Sequence, residues 1–174
     1  MGSPGRAANF DVVVLAHLDA AYNLARWLTR SEHDAQDVVQ DACIRAMRAF
    51  DSFHGGDARA WLLAIVRNVA LTLLRTRKKP EPLDETLDEP QSEACDPQEI
   101  LLRAADAERV REAIEQLHVE LRTVIVLREM EGLSYKEIAG VTGVPIGTVM
   151  SRLSRGRQRL AEFLAEPKEA GEST

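Results

Sequence analysis

The sequence predicts an all-α protein with two small helical domains, joined by an acidic, proline-rich linker, and a helix-turn-helix in the second domain. Apolar residues recur at three- and four-residue steps along most of the chain, which is the spacing of amphipathic helices. Hydrophobic residues make up 45% of the 174 positions, so each domain can bury a core. Proline and acidic residues replace this pattern near the middle. We therefore expect domains at residues 1–79 and 108–165, a linker at 80–107 and a flexible tail at 166–174.

The first domain begins with two predicted helices. Ser31, with Asp34 three residues later, resembles a capping box that starts the second of them, and this helix ends near Phe50. The first helix has one apolar stripe, made of Phe10, Val14, Leu18, Ala21, Ala25 and Leu28. The inward face of the second helix is expected to hold Ala35, Val38, Ala42 and either Ala46 or Met47.

A loop with Gly55 and Gly56 precedes a third helix, predicted from about Ala58 to Arg77. Six basic and no acidic residues occur from position 58 to position 80. A basic helix that follows a flexible loop with Phe53 and His54 favours binding of single-stranded nucleic acid, with a base held by the loop and phosphates by the helix. The apolar stripe of this helix is Trp61, Leu62, Ile65, Val69 and Leu73, and we expect Trp61 in the core rather than in a stacking surface.

The linker carries most of the negative charge of the chain. The net charge is −6, and it divides into +3 for residues 1–80, −8 for 81–107 and −1 for 108–174. Residues 80–99 contain four prolines and eight acidic residues without a basic one, so they are expected to be solvated and extended. The acidic total therefore does not exclude nucleic acid as a partner, because the local field decides whether a surface attracts phosphate.

The second domain is predicted to contain helices at about 100–117, 119–131, 134–141 and 145–163. Ser134 and Glu137 form a capping box, Gly143 supplies a tight turn, and Pro145 suits the first turn of the last helix. Small and apolar side chains around this turn allow the last two helices to cross closely, which predicts a helix-turn-helix whose second helix enters the DNA major groove.

The solvent face of the last helix is polar and basic. No acidic residue occurs from position 138 to position 161, so nothing there repels phosphate. The residues expected on this face are Ser151, Arg152, Ser154, Arg155, Arg157 and Arg159.

Several kinds of chemistry are not expected. Cys43 and Cys95 lie far apart, and the histidines show no ligand spacing, so we expect no disulfide framework and no metal site. Neither a phosphate-binding glycine loop nor a nucleophile–base pair is found, and we expect no cofactor and no enzymatic activity. The first nine residues lack the apolar core of a signal peptide, and no apolar stretch is long enough to span a membrane; a cytoplasmic protein is expected.

Three stretches resemble the extracytoplasmic-function (ECF) group of the sigma-70 family of RNA polymerase sigma factors. The helix that grips the polymerase clamp in this family is similar to DAQDVVQDACIRAMRAF at 34–50. The helix that reads the −10 promoter element is similar to WLLAIVRNVALTLLR at 61–75. The domain that reads the −35 element is similar to LRTVIVLREMEGLSYKEIAGVTGVPIGTVMSRLSRGRQRL at 121–160. Met150 stands where the family often has a polar or basic residue.

The resemblance implies an alternative sigma factor with core RNA polymerase, promoter DNA and an anti-sigma factor as partners. Residues 1–79 would correspond to sigma region 2 and residues 108–165 to sigma region 4. The polymerase-facing residues implied are Asp34, Asp37, Gln40 and Asp41. Those implied near the −10 element are Phe53, His54, Arg59, Arg67, Asn68 and Arg75. Those implied near the −35 element are Thr148, Ser151, Arg152, Ser154, Arg155 and Arg157.

Two other classes of protein compete with this interpretation. One is a helix-turn-helix regulator that binds DNA as a dimer without polymerase. The other is a nuclease or recombinase accessory enzyme that uses acidic residues for a metal. The second is disfavoured because the acidic residues lie in a proline-rich linker instead of converging on a rigid site.

Overall fold

The computed structural model describes residues 4–77, called the first block below, and residues 107–165, called the second block. The predicted linker, the start of the helix expected at 100–117, Cys95 and the predicted tail lie outside these residues. The two blocks consist of helices and the turns between them, and neither block contains a strand. The helices are α1 Pro4–Leu15, α2 Leu18–Thr29, α3 Glu32–Ala49, α4 Ala58–Arg77, α5 Ala107–Gln116, α6 Val119–Ile125, α7 Tyr135–Thr142 and α8 Ile146–Ala165. A 3₁₀ turn (Phe50–Ser52) follows α3, and a π turn (Val126–Met130) follows α6.

The first apolar stripe belongs to two helices, not to the single helix that its periodicity predicted. A turn closed by the His17 N–H and the Val14 carbonyl (3.0 Å) separates α1 from α2. This break redirects the chain, because α1 packs on α4 whereas α2 packs on both α3 and α4. Five of the six members of the stripe are buried as expected: Phe10, Val14, Ala21, Ala25 and Leu28 are at most 9% exposed. Leu18 is only half-buried, and Leu24, which lies outside the stripe, is fully buried.

Helix α3 begins where the sequence predicted and packs through small residues. Only the Ser31 half of the expected capping box is present, because the Asp34 carboxylate pairs with Arg77 instead. The Ser31 hydroxyl accepts a hydrogen bond from the backbone N–H of Asp34 (3.3 Å), which satisfies one of the free N–H groups of the first turn. Ala46 is buried, and Met47 is 57% exposed, which decides between the two expected alternatives. The inward face is Ala35, Val38, Ala42 and Ala46.

Helix α4 is buried on more faces than its predicted stripe covers. Leu63, Val66 and Ala70 are fully buried although they lie outside that stripe. The reason is that α4 contacts α2 and α3 on its own side and α7 of the second block as well. The buried side chains of the two blocks consequently form one continuous cluster.

In the second block, α7 and α8 form the helix-turn-helix, and α8 packs on α6. The capping box is present in both directions, with Glu137 N–H to Ser134 Oγ at 3.1 Å and Ser134 N–H to Glu137 Oε2 at 2.6 Å. Gly143 ends α7 in the left-handed region, with φ 71°. Pro145 lies one residue before α8 rather than in its first turn, and its carbonyl accepts from the Val149 N–H (3.1 Å).

Candidate nucleic-acid interface

Helix α8 is oriented by a buried seam. Val149, Leu153, Gly156 and Leu160 face inward at the spacing of successive helical turns. A Cβ atom at Gly156 would lie 2.8 Å from Cγ1 of Ile125, so the absence of a side chain at 156 lets α8 cross α6 closely. The seam therefore fixes which side of α8 is presented to solvent.

The presented side begins in the first turns of α8, the part of a recognition helix that contacts base edges. Ser151 and Ser154 are exposed, while Thr148 and Arg155 are half-buried. Met150 is 52% exposed on the same stretch and was not among the residues expected to contact DNA. An exposed apolar side chain at such a position can contact the methyl group of thymine.

The predicted DNA-facing arginines of α8 differ in their surroundings. Arg157 donates to Glu129 Oε1 from Nε (3.0 Å) and from a terminal nitrogen (2.6 Å). Burial would lower the pKa of Arg157, but the hydrogen bond and charge of Glu129 raise it above its ordinary value. Arg152 donates to Glu120 Oε2 (2.6 Å), whereas Arg155 has no hydrogen bond or ion pair to a residue of either block.

The loop before α4 rests on an aromatic cluster. The ring of Phe53 lies 4.8 Å from that of Trp61 and 6.2 Å from that of Phe50, measured between centroids. Phe53 is therefore half-buried and helps to anchor the loop, whereas His54 is exposed. Trp61 packs against the core as expected.

The loop itself is shaped by Gly55 and Gly56, which have φ angles of 95° and 102°, values that L side chains rarely adopt. Asp57 then starts α4, because its Oδ1 accepts from the Ala60 N–H at 3.1 Å. The exposed His54 consequently sits next to the N-terminal end of the basic helix.

The two arginines near the start and middle of α4 are held by the second block. Arg59 donates to Glu131, at 2.7 Å to Oε2 and 2.5 Å to the backbone carbonyl. A terminal nitrogen of Arg67 lies 3.8 Å from Oε2 of Glu120, and the Nε of Arg67 is buried without a hydrogen-bond partner. Burial lowers the pKa of Arg67, and the charge of Glu120 acts in the opposite direction.

The remaining residues expected on α4 point away from this contact. Asn68 and Arg75 are exposed, and the side-chain oxygen of Asn68 accepts a long hydrogen bond (3.4 Å) from Arg67. Arg77, at the end of α4, pairs with Asp34.

The polar residues expected to face polymerase lie along α3. Asp37 and Gln40 are exposed and Asp41 is half-buried, and Asp41 also pairs with Arg45 one turn on (3.0 Å). Asp34 is only 8% exposed, and the hydrogen bond from Arg77 lowers its pKa. Asp34 thus links the start of α3 to the end of α4.

Sequence reasoning missed the residues that join the blocks. Asn23, Glu120 and Glu131 carry no motif, and each finds its partner more than thirty positions away in the chain. No signal in a single sequence identifies such pairs, because each acidic residue reads as part of a solvated helix face.

The two blocks contain neither a metal-binding cluster nor a membrane-spanning helix. Within residues 4–77 and 107–165, no group of three or more acidic, histidine or cysteine side chains is arranged to hold a metal ion. Neither block contains a helix with the length and hydropathy needed to cross a bilayer. Cys43 is a free thiol whose pKa is raised by burial, which makes it less reactive.

Two protein-family models match this chain. The model of sigma-70 region 2 matches residues 13–79, and the model of sigma-70, region 4 matches residues 107–160. The matches coincide with the two blocks and include the helix-turn-helix.

Similar proteins occur in several bacteria. The chain is 35% identical over 167 residues to the ECF RNA polymerase sigma factor SigE of Mycolicibacterium smegmatis, which covers 95% of this chain but 65% of the length of that protein. It is 36% identical over 165 residues to the RNA polymerase sigma-H factor of Pseudomonas aeruginosa, covering 89% of this chain and 86% of that one. It is 38% identical over 137 residues to the ECF RNA polymerase sigma-E factor of Escherichia coli K12, covering 73% and 72%.

Two solved structures share the fold. One is the sigma factor RpoE in complex with the anti-sigma factor NepR from Bartonella quintana, with a TM-score of 0.69, 30% identity, and coverage of 90% of this chain and 96% of that one. The other is CnrH in complex with the cytosolic domain of CnrY, with a TM-score of 0.62, 30% identity, and coverage of 89% and 86%.

Proposed function

The chain belongs to the ECF group of sigma-70 family RNA polymerase sigma factors, and from that premise we propose that it binds core polymerase and directs it to the promoters of a specific regulon. In this role it is a non-enzymatic subunit. The −35 element is read by α8, and the −10 element is read by the loop before α4 together with α4. Trapping an unpaired −10 base then favours opening of the duplex.

The outward face of α8 is the observation that carries this proposal. It combines exposed Ser151 and Ser154 with Arg155, and no acidic residue interrupts it. Arg155 is free to reach a guanine or a phosphate, whereas Arg157 is held by Glu129 and serves mainly to position α8. Thr148 and Arg152 complete the proposed DNA-contacting set, and Arg152 can do so after it leaves Glu120.

The −10 surface is proposed on the other block. His54 is exposed in a loop anchored by Phe53, which suits contact with an unstacked base. Asn68 and Arg75 are exposed along the same helix, and Arg59 and Arg67 add positive charge when their contacts with the second block open. We assign the phosphates of the −10 strand to these four residues of α4.

Core polymerase is proposed to bind α3. Asp37, Gln40 and Asp41 form a polar face that is accessible in the first block. Asp34 is held by Arg77, so its contribution to this face is mainly structural: it fixes the start of α3 against α4. The protein acts in the cytoplasm, where polymerase is found.

An anti-sigma factor is proposed as the regulator. The solved relative RpoE was crystallised with such a protein, and this chain matches 96% of that RpoE chain at 30% identity. The faces to be covered are those proposed above for polymerase and DNA.

Transcription in vitro tests the proposal. The full chain is added to core polymerase on a library of randomised promoters, and the transcripts are sequenced. We expect start sites that depend on the chain and share a −35 and a −10 motif. Enrichment of DNA by the chain alone as a dimer, with no dependence on polymerase, would favour the helix-turn-helix regulator instead.

A pair of variants tests the site. Arg155→Ala should change or weaken the −35 motif, because an arginine paired with guanine supplies about 1–3 kcal/mol of discrimination. Arg111→Ala is the matched control, since it removes an exposed arginine of the same block that pairs only within α5. Identical motifs from the two variants would contradict the assignment of α8.

A further inference from the structure

We propose that Glu120 and Glu131 hold the protein closed by occupying its DNA-binding arginines, so that docking of the two blocks and binding of promoter DNA exclude each other. This inference rests on the function proposed above, because that proposal assigns Arg59 and Arg67 to DNA. In the closed state the two carboxylates take the place of phosphate groups.

Glu131 is bound almost entirely by the first block. Its Oε2 accepts from Arg59 (2.7 Å), and its Oε1 accepts from the side-chain amide of Asn23 (2.5 Å). The side chain is only 8% exposed. A carboxylate is buried to this extent only when both oxygens have partners, because an unpaired buried charge is strongly unfavourable. Glu131 is thus a specific contact between the blocks and not a solvated acid that happens to lie near them.

Glu120 joins the two proposed DNA-reading helices through one oxygen. Its Oε2 lies 2.6 Å from a terminal nitrogen of Arg152 on α8 and 3.8 Å from a terminal nitrogen of Arg67 on α4. All three side chains are at most 22% exposed. Closing therefore withdraws Arg67 from the −10 surface, whereas Arg152 is paired with Glu120 inside the second block and is not released by opening alone.

The closed state is supported by further contacts and also contains a defect. Arg122 donates to the Leu28 carbonyl (3.4 Å), and Arg30 donates to the Glu115 carbonyl (3.2 Å). Opposing these, the Nε of Arg67 is buried without an acceptor. An unsatisfied buried donor is costly, so the closed state can be displaced by DNA, which offers phosphate oxygens to the same guanidinium.

The charge balance around Glu120 also favours a contact that DNA can displace. Arg67 and Arg152 share one carboxylate, so the cluster keeps an excess of one positive charge. A phosphate backbone can supply an acceptor to each arginine separately. The contact is therefore suited to exchange with a polyanion and not to permanent closure.

Asn23→Asp is the most informative variant, because it adds negative charge to the protein. Its carboxylate would face Glu131 and repel it, while no proposed DNA-contacting residue is altered. Opening should raise the affinity of the full chain for DNA about tenfold, the gain expected when the open fraction rises from about one-tenth to nearly all molecules. Asn9→Asp is the matched control: it adds the same charge at an exposed position of α1 and should lower the affinity slightly.

Glu131→Gln is a second variant that should open the protein, because it removes the negative charge of the side chain while keeping its shape. Glu112→Gln is its control, because it removes the same charge from an exposed position of α5 in the same block. Affinity is measured by fluorescence anisotropy with a labelled forked duplex of mixed sequence. The radius of gyration is measured by small-angle X-ray scattering, and thermal melting verifies that every variant is folded.

The inference is supported if Asn23→Asp and Glu131→Gln bind the forked duplex more tightly than their controls and have a larger radius of gyration. It is overturned if Asn23→Asp binds no better than Asn9→Asp, or if the variants open without a gain in affinity. Transcription with core polymerase keeps the two proposals apart. A gain in DNA affinity without any polymerase-dependent start site would refute the proposed function and leave the closed state standing.

Discussion

Arg155 and Arg157 lie two residues apart on α8, yet we expect the loss of Arg157 to reduce mainly stability and the loss of Arg155 to reduce mainly DNA affinity. Arg157→Ala leaves Glu129 without its partner, at a position where both side chains are about one-fifth exposed (21% and 19%). Exposed ion pairs contribute up to about 1 kcal/mol, and breaking a fully buried pair costs about 3–5 kcal/mol. A loss near 2 kcal/mol in the free energy of unfolding is therefore expected for Arg157→Ala. Arg155→Ala breaks no such contact and should change stability by less than about 0.5 kcal/mol.

DNA binding should show the reverse order. Arg155→Ala is expected to weaken binding to the preferred −35 element by about 1.4 kcal/mol, or tenfold, whereas Arg157→Ala should weaken it much less at temperatures where it is folded. Urea denaturation gives the first quantity, and fluorescence anisotropy with the selected −35 duplex gives the second. The reasoning fails if Arg155→Ala is the less stable variant, or if Arg157→Ala loses affinity more than Arg155→Ala does.

Three other outcomes follow from the packing, the ion pairs and the polar face of α3. Gly156→Ala should lower the free energy of unfolding by about 1–2 kcal/mol, because its new methyl group would lie 2.8 Å from Ile125 of α6. Gly140→Ala, whose methyl group would contact nothing, should raise the free energy of unfolding by up to about 1 kcal/mol. Urea denaturation that finds both variants stabilised would contradict this reasoning. The pKa of Asp34 is lowered by Arg77, so the contribution of this pair is present above the unfolded pKa of about 3.9 and is lost as the pH falls through the folded value. Arg77→Ala should therefore reduce stability at neutral pH but not in acid below both values, and an equal loss in both conditions would argue against the pair. Asp37→Lys should weaken binding to core polymerase in a pull-down while leaving DNA affinity no lower, and unchanged polymerase binding would remove α3 from the proposed interface.

Local sequence signals predicted most of the helices and their ends. Ser31 caps α3, the Ser134–Glu137 box caps α7, and Gly143 ends α7, because each interaction lies within three or four residues of the chain. Periodicity likewise identified the buried face of α3. The break between α1 and α2 was missed, since the apolar stripe continues in phase across it and only the packing of α1 on α4 requires the turn.

The candidate site could be predicted only in part. The sequence identified the basic helices and the turn that presents α8, but it gave no means to separate Arg155 from Arg152 and Arg157. That distinction depends on Glu120 and Glu129, which lie on the preceding helical segments and meet α8 only after the second block has folded. Contacts between the blocks are even harder to predict from a single sequence, because no periodic pattern relates the residues that they join.

The single carboxylate shared by Arg67 and Arg152 bears on how the protein would distribute itself in a cell. Chromosomal DNA presents a vast excess of unrelated sites, and a monomer with open basic surfaces would be titrated onto them. Docking of the two blocks lowers the apparent affinity for every DNA sequence by the same factor. The order of affinities among promoters is therefore preserved, while non-specific binding to the chromosome is reduced. The pool of molecules available to polymerase would then be set by an internal equilibrium, even before any inhibitor is made.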